Sequence, residues 1–245
     1  MVVECWLNIN IMNIITILGD SLSLARSENG IFFKQTYSYL LNKKFNGEYL
    51  FLNKSKRGNT TKNQINPQNI YDDIITTNSK YFIIQIGIVD CSPRIISMKE
   101  KVILRYFFSE KIQNIYIGFK SKYRRFITRN FPKTYVSLDD FNDNFELLIQ
   151  TILKQTDVKK IALINIADTN NGNKYRSYGF ENNIINYNQV ISTLQKKFKS
   201  KVELIDLFSL SKNNNIILDD GIHISREAHI IIANEIEKVL FKSSK

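Results

Sequence analysis

The 245-residue sequence predicts one α/β domain in three layers, a five-stranded parallel sheet between two layers of helices. Two observations predict the class. Five short runs read as strands, and the third, "YFIIQIG", has the unbroken apolar pattern of a strand covered on both faces. Stretches of helical spacing separate them, so each strand is followed by a crossover that returns the chain in parallel. A third observation bounds the size: 43% hydrophobic and 12% aromatic residues supply a large core, while three prolines and nine glycines leave no low-complexity linker. The domain is expected over residues 12–245, with residues 1–11 a dispensable extension, because Met12 could itself initiate a chain that begins on the first strand.

In chain order, "NIITIL" (Asn13–Leu18) is rich in β-branched residues and too short for a helix, so it reads as the first strand. "IFFKQTYSYLLNKKF" (Ile31–Phe45) has helical spacing and a basic last turn. "GEYLFLN" (Gly47–Asn53), "YFIIQIG" (Tyr81–Gly87), "KIALINIA" (Lys160–Ala167) and "KVELIDL" (Lys201–Leu207) are the other strands. Helical patterns stand at "FNDNFELLIQTILKQ" and "NQVISTLQKKFK". The chain closes with a helix in "SREAHIIIANEIEKVLF", for which Ser225 is the expected N-cap.

The net charge of +11 is concentrated. From Arg94 to Ser137 there are eleven bases and two acids, Glu100 and Glu110, so this segment carries +9. An AT-rich genome accounts for excess lysine but less well for five arginines in one segment. The segment is expected to form a helical cover over the cleft. Arg94, Arg124, Arg125 and Arg129 are candidates for contact with an anionic substrate. No nucleic-acid recognition motif accompanies the charge. The aromatics Tyr106, Phe107 and Phe108 are expected to face the core rather than a membrane, although peripheral membrane contact stays open. No apolar run reaches the ~18–20 residues of a membrane span, and no base precedes Arg26 to flank a signal peptide. Two cysteines, Cys5 and Cys91, make neither a disulfide framework nor a zinc site. A reduced, cytoplasmic compartment is expected, without metal or organic cofactor.

In a parallel sheet, sites form beyond the carboxyl ends of the strands. There stand Gly19-Asp20-Ser21, then Gly58 in "RGNTT", then "GIVDCSPR" (Gly87–Arg94), then "LDDGIHIS" with Asp220 three residues before His223. A serine hydroxyl needs a base to take its proton, and the base needs a carboxylate to fix its tautomer. Of the two histidines, His229 falls inside the closing helix as a surface or packing residue, while His223 precedes it with an acid at minus three. Asp20 and Asp90 are expected to order their own loops, and Cys91 to be a small buried side chain. "ADTNNGNKYRSYG" (Ala167–Gly179) either lines the site or is a surface loop.

With "GDSL" at 19–22, a glycine after the second strand, G-x-x-D after the third and a terminal D-x-x-H, the chain resembles the SGNH/GDSL hydrolase superfamily. The resemblance implies a flavodoxin-like sheet, Ser21 as nucleophile, His223 as base and Asp220 as its orienter. It also implies an oxyanion hole from the backbone N–H groups of Ser21 and Gly58 plus an asparagine amide. The sequence departs from the pattern there, since Val89 stands in the asparagine's place. Arg94 or an asparagine of "NKSKRGN" is a candidate substitute. "GIVDCSPR" further resembles a variant block of SGNH-like proteins from bacterial surface-polysaccharide clusters. The implied activity is an esterase or O-deacylase on an acylated glycan or glycan precursor. An O-acyltransferase using the same serine, or a non-catalytic module holding an anionic partner, are the alternatives.

Overall fold

The computed structural model describes residues 12–213 and 216–241; the extension proposed for residues 1–11 lies outside them. Five strands form, β1 (Asn13–Gly19), β2 (Tyr49–Asn53), β3 (Tyr81–Gln85), β4 (Lys160–Ile164) and β5 (Val202–Ile205). All pair in parallel, in the order β2-β1-β3-β4-β5. The chain therefore leaves β1 in one direction for β2 and returns to its other side for β3. This reversal opens a crevice at the carboxyl ends of β1 and β3. Gly19 and Gln85 are register partners at that edge.

Helices α1 (Tyr37–Lys44), α2 (Met98–Phe107), α3 (Glu110–Lys122), α4 (Arg124–Asn130), α5 (Leu138–Gln155), α6 (Phe180–Lys197), α7 (Leu207–Asn213) and α8 (Arg226–Phe241) complete the frame. Side chains of β3 alternate between two cores. Phe82 and Ile84 meet Phe141 and Phe145 of α5 and Ile184 of α6, whereas Ile83 meets Leu41 of α1 and Ile232 of α8. Both faces of the central strands are thus apolar, which is why β3 reads as a continuous hydrophobic run, while the edge strands β2 and β5 stay partly exposed.

Two expectations are corrected. The helix expected from Ile31 begins only at Tyr37, because Ile31 pairs back onto Arg26 in an isolated antiparallel bridge and Thr36 caps the helix through its side chain. Tyr106, Phe107 and Phe108 do not face the core: they are 80%, 78% and 44% exposed. They belong to the excursion between β3 and β4 that carries α2–α4, and among the described residues of α2 only Leu104 is buried. A backbone bond from Arg94 N–H to Lys133 O, 2.9 Å, ties the two ends of the excursion together. At its centre Glu100 caps α2 and pairs with Lys120 and Lys133. Those contacts hold the Glu100 carboxyl well below the ordinary carboxylate range, the Lys120 bond contributing most.

Candidate active site

The crevice is built first by Gly19. A Cβ there would lie 2.6 Å from Ser23 Oγ and 2.7 Å from Ser55 Oγ, so only glycine lets β1 end against β3. The next residue, Asp20, is fully buried and accepts the Leu22 N–H at 2.9 Å, capping the 3₁₀ turn Ser21–Ser23. Ser21 thereby sits at the first position of that turn. Burial pushes the Asp20 carboxyl up to about 7; the Leu22 N–H opposes this and Asp90 adds to it. Asp90, raised by burial to about 6, accepts both the N–H (2.9 Å) and the hydroxyl (2.6 Å) of Thr61. It binds the turn after β3 to the segment after Gly58. Both carboxylates order loops, as expected of them.

The histidine arrives from the loop before α8. Asp220 Oδ1 accepts the N–H groups of Ile222 and His223, each at 2.9 Å, and Oδ2 lies 2.6 Å from His223 Nδ1. His223 Nε2 lies 3.0 Å from Ser21 Oγ. Gly221 makes the turn possible: its φ is +69°, and a Cβ would come within 2.5 Å of Asn170 Cγ. Asn170 and Asn173 amides donate to the carbonyls of Asp219 and Asp220, at 2.9 and 2.7 Å, so the loop after β4 braces the histidine loop. Ser21, His223 and Asp220, remote in sequence, thus form one hydrogen-bonded chain.

Electrostatics suit the roles. Burial works to raise the Asp220 carboxyl, but the His223 and Ile222 N–H groups and the imidazole hold it below its ordinary value. Burial also lowers His223, Asp220 opposes that, and Arg26 and Arg57 reinforce it. His223 is therefore neutral at neutral pH, with Nδ1–H on Asp220 and the Nε2 lone pair facing both Ser21 Oγ and the Arg26 guanidinium. His229, by contrast, is buried in packing; desolvation takes it to about 4, and its Nδ1 accepts the Tyr37 N–H. Cys91 is buried as expected, and burial pushes its thiol far above the ordinary range.

Sequence reasoning missed Arg26. Its Nη1 lies 2.6 Å from His223 Nε2, while Nη2 pairs with Glu28 at 3.0 Å. No motif marks this arginine; the Arg26–Ile31 bridge alone swings it over the imidazole. A guanidinium donating to Nε2 favours the neutral ring, so removing it must raise the His223 pKa. Arg26→Gln is expected to move the acid limb of the kcat/KM profile to higher pH, which a pH–rate series on a soluble ester measures. An unmoved limb would mean that Arg26 leaves Nε2 in solution.

Among the described residues, neither the Ser21 nor the Gly58 N–H donates within the protein. Val89 lies in the helical turn Ile88–Cys91, half-buried against the core, and offers no side-chain donor. The proposed substitutes are committed elsewhere. Asn53 binds Ser23 O, Asn59 binds Gly19 O and Gln64, and Arg94 Nη2 binds Val89 O at 2.7 Å.

The predicted arginines divide. Arg94 and Arg124 line a cavity of about 210 Å³ together with Arg176, beside Asp220 and Ile222. None of the three pairs with a carboxylate among the described residues, and Nε of Arg94 and of Arg124 is buried without a partner. Burial lowers both guanidinium pKa values, and Arg176 and Arg94 lower that of Arg124 further. Arg125 instead stacks on Tyr175 and donates to its carbonyl, and Arg129 lies over Tyr178. Arg176, from the segment after β4, is the third arginine of the cavity.

Solved structures share this architecture. A lipase/acylhydrolase from Enterococcus faecalis superposes with a TM-score of 0.63 at 15% identity, covering 96% of this chain and all of that one. The chain has the SGNH hydrolase fold. The acetylxylan esterase Axe2 from Geobacillus stearothermophilus shares the fold with a TM-score of 0.60 at 15% identity, over 94% of each chain. TesA does so with a TM-score of 0.58 at 16% identity, over 94% of this chain and 99% of that one. No protein-family model and no curated protein sequence matches. In this SGNH fold the crevice after β1 and β3 is where the Ser21–His223–Asp220 chain lies.

Proposed function

We propose that the protein is a serine-dependent ester hydrolase that removes an acyl group from a negatively charged glycan or glycan precursor. The observation that carries the reading is the continuous chain from Ser21 Oγ through His223 to Asp220. His223 Nε2 takes the hydroxyl proton as Ser21 Oγ attacks the ester carbonyl, and Asp220 steadies the imidazolium. The N–H groups of Ser21 and Gly58 receive the oxyanion. Collapse expels the glycan hydroxyl, which takes the proton from His223. Water, deprotonated by the same nitrogen, then releases the acid and restores Ser21.

The anionic character is supported by the three arginines bordering the histidine loop, none of which has a carboxylate partner among the described residues, and by Arg26, which an anion would draw away from Nε2. The glycan is supported by the Geobacillus neighbour, an acetylxylan esterase of the same fold. Intact-mass analysis after treatment with a fluorophosphonate is expected to show one adduct, located on Ser21; an unlabelled protein would overturn the reading. Arg124→Gln with Arg176→Gln is expected to raise KM for an acidic glycan ester about tenfold while leaving a small neutral ester unaffected. Arg94 is spared because it stacks on Tyr135 and holds Val89 O. Equal loss on both esters would assign the arginines to the fold.

A further inference from the structure

Thirteen of the 24 large apolar side chains exposed among the described residues lie between Met98 and Phe131. They are not scattered. Ile103 and Phe107 stand four apart on α2, and Ile112, Ile115 and Phe119 follow i, i+3, i+7 on α3. That is the spacing of a face meant to be covered. Yet Ile115 and Phe119 are 65% and 62% exposed, and no described residue of α3 is buried. Exposed apolar side chains concentrated in this way on one segment mark an interaction surface.

Charge identifies what covers it. Glu100 neutralises part of Lys120 and Lys133, but Lys99, Lys101, Arg105, Lys111 and Lys122 are exposed and have no carboxylate partner among the described residues. A second copy of this chain would set two such basic excursions against each other at a low-dielectric interface, which like-charge repulsion opposes. A neutral surface would leave the lysines unanswered. Aromatic and branched apolar side chains interleaved with bases on exposed helices fit the boundary of an anionic lipid layer, where rings enter the headgroup region and lysines meet phosphates. Among the described residues no helix is long and apolar enough to cross a membrane, so the contact is peripheral.

We infer that α2–α4 form a docking hairpin for an anionic membrane surface, independently of whether Ser21 is reactive. Because the Arg94–Lys133 bond fixes the excursion beside the arginine cavity, docking would bring the crevice to substrates held at that surface. The test is flotation of the full chain with vesicles of phosphatidylcholine, alone or mixed with phosphatidylglycerol. The protein is expected to float with the mixed vesicles only, and to be released by high salt. Replacing Ile103, Phe107, Ile115 and Phe119 by serine should weaken partitioning about tenfold or more with an unchanged circular dichroism spectrum. Should that variant misfold, Lys99→Glu with Lys101→Glu and Lys111→Glu supplies the same reading through charge. Failure to float with the mixed vesicles, equal flotation on both compositions, or undiminished flotation of the folded variants would overturn the inference. So would a wild-type dimer that the serine variant converts to monomer, which would make the face a self-interface.

Discussion

Ser21→Ala is expected to reduce ester turnover by about 10⁴–10⁶-fold, and His223→Ala by a similar factor. The double variant should be little worse than either single one, because the two residues act on one proton. The geometry gives the reason. Among the described residues Ser21 Oγ has one side-chain hydrogen-bond partner, His223 Nε2 at 3.0 Å, and that ring is oriented by a carboxylate at 2.6 Å. In the proposed mechanism no acyl-enzyme forms without the serine, and without the ring the hydroxyl keeps its proton. Asp220→Asn should be impaired as well, since an amide can present its NH₂ to Nδ1 and select the wrong tautomer. Measured kcat/KM on an activated ester, with circular dichroism to confirm folding, decides the matter. Full activity in either single variant, or multiplicative loss in the double, would remove the two residues from a common step.

Val89→Asn is expected to act in the opposite direction, raising ester hydrolysis by up to about 10²-fold. The N–H groups of Ser21 and Gly58 make no hydrogen bond within the protein among the described residues, and the two asparagines nearest by sequence are tied to Ser23 O and Gly19 O. A preorganised third donor is worth about 2.7–4 kcal/mol to an oxyanion, because it replaces solvent reorganisation at the moment charge develops. Val89 sits only half-buried, so an amide of similar size can be placed there without opening the core. The comparison is of kcat per mole of fluorophosphonate-titrated enzyme. An unchanged or slower variant would show that another group already stabilises the oxyanion, and Arg26, whose guanidinium contacts His223 Nε2, would be the next to replace.

What the sequence alone determined is whatever depends on local pattern. Strands such as β3 were legible because both of its faces are buried, which leaves an unbroken apolar run of a length no helix would have. Gly19, Asp20 and Ser21 were legible because a strand ending on a carboxylate and a hydroxyl is chemically unusual. Asp220 and His223 were legible because three residues let a carboxylate reach the ring within one turn. Only the tertiary structure could decide the rest. Arg26 contacts His223 across 197 residues through a single antiparallel bridge, and no periodicity encodes that. Arg94, Arg124 and Arg176 converge from two excursions of the chain, and sequence proximity does not separate them from Arg125 and Arg129, which lie over tyrosines. The apolar stripe of α2 and α3 has the spacing of a core face, and hydrophobic spacing states that a face is to be covered without stating by what. The sheet was already filled on both sides by α1, α5, α6 and α8, so that stripe was left facing outward.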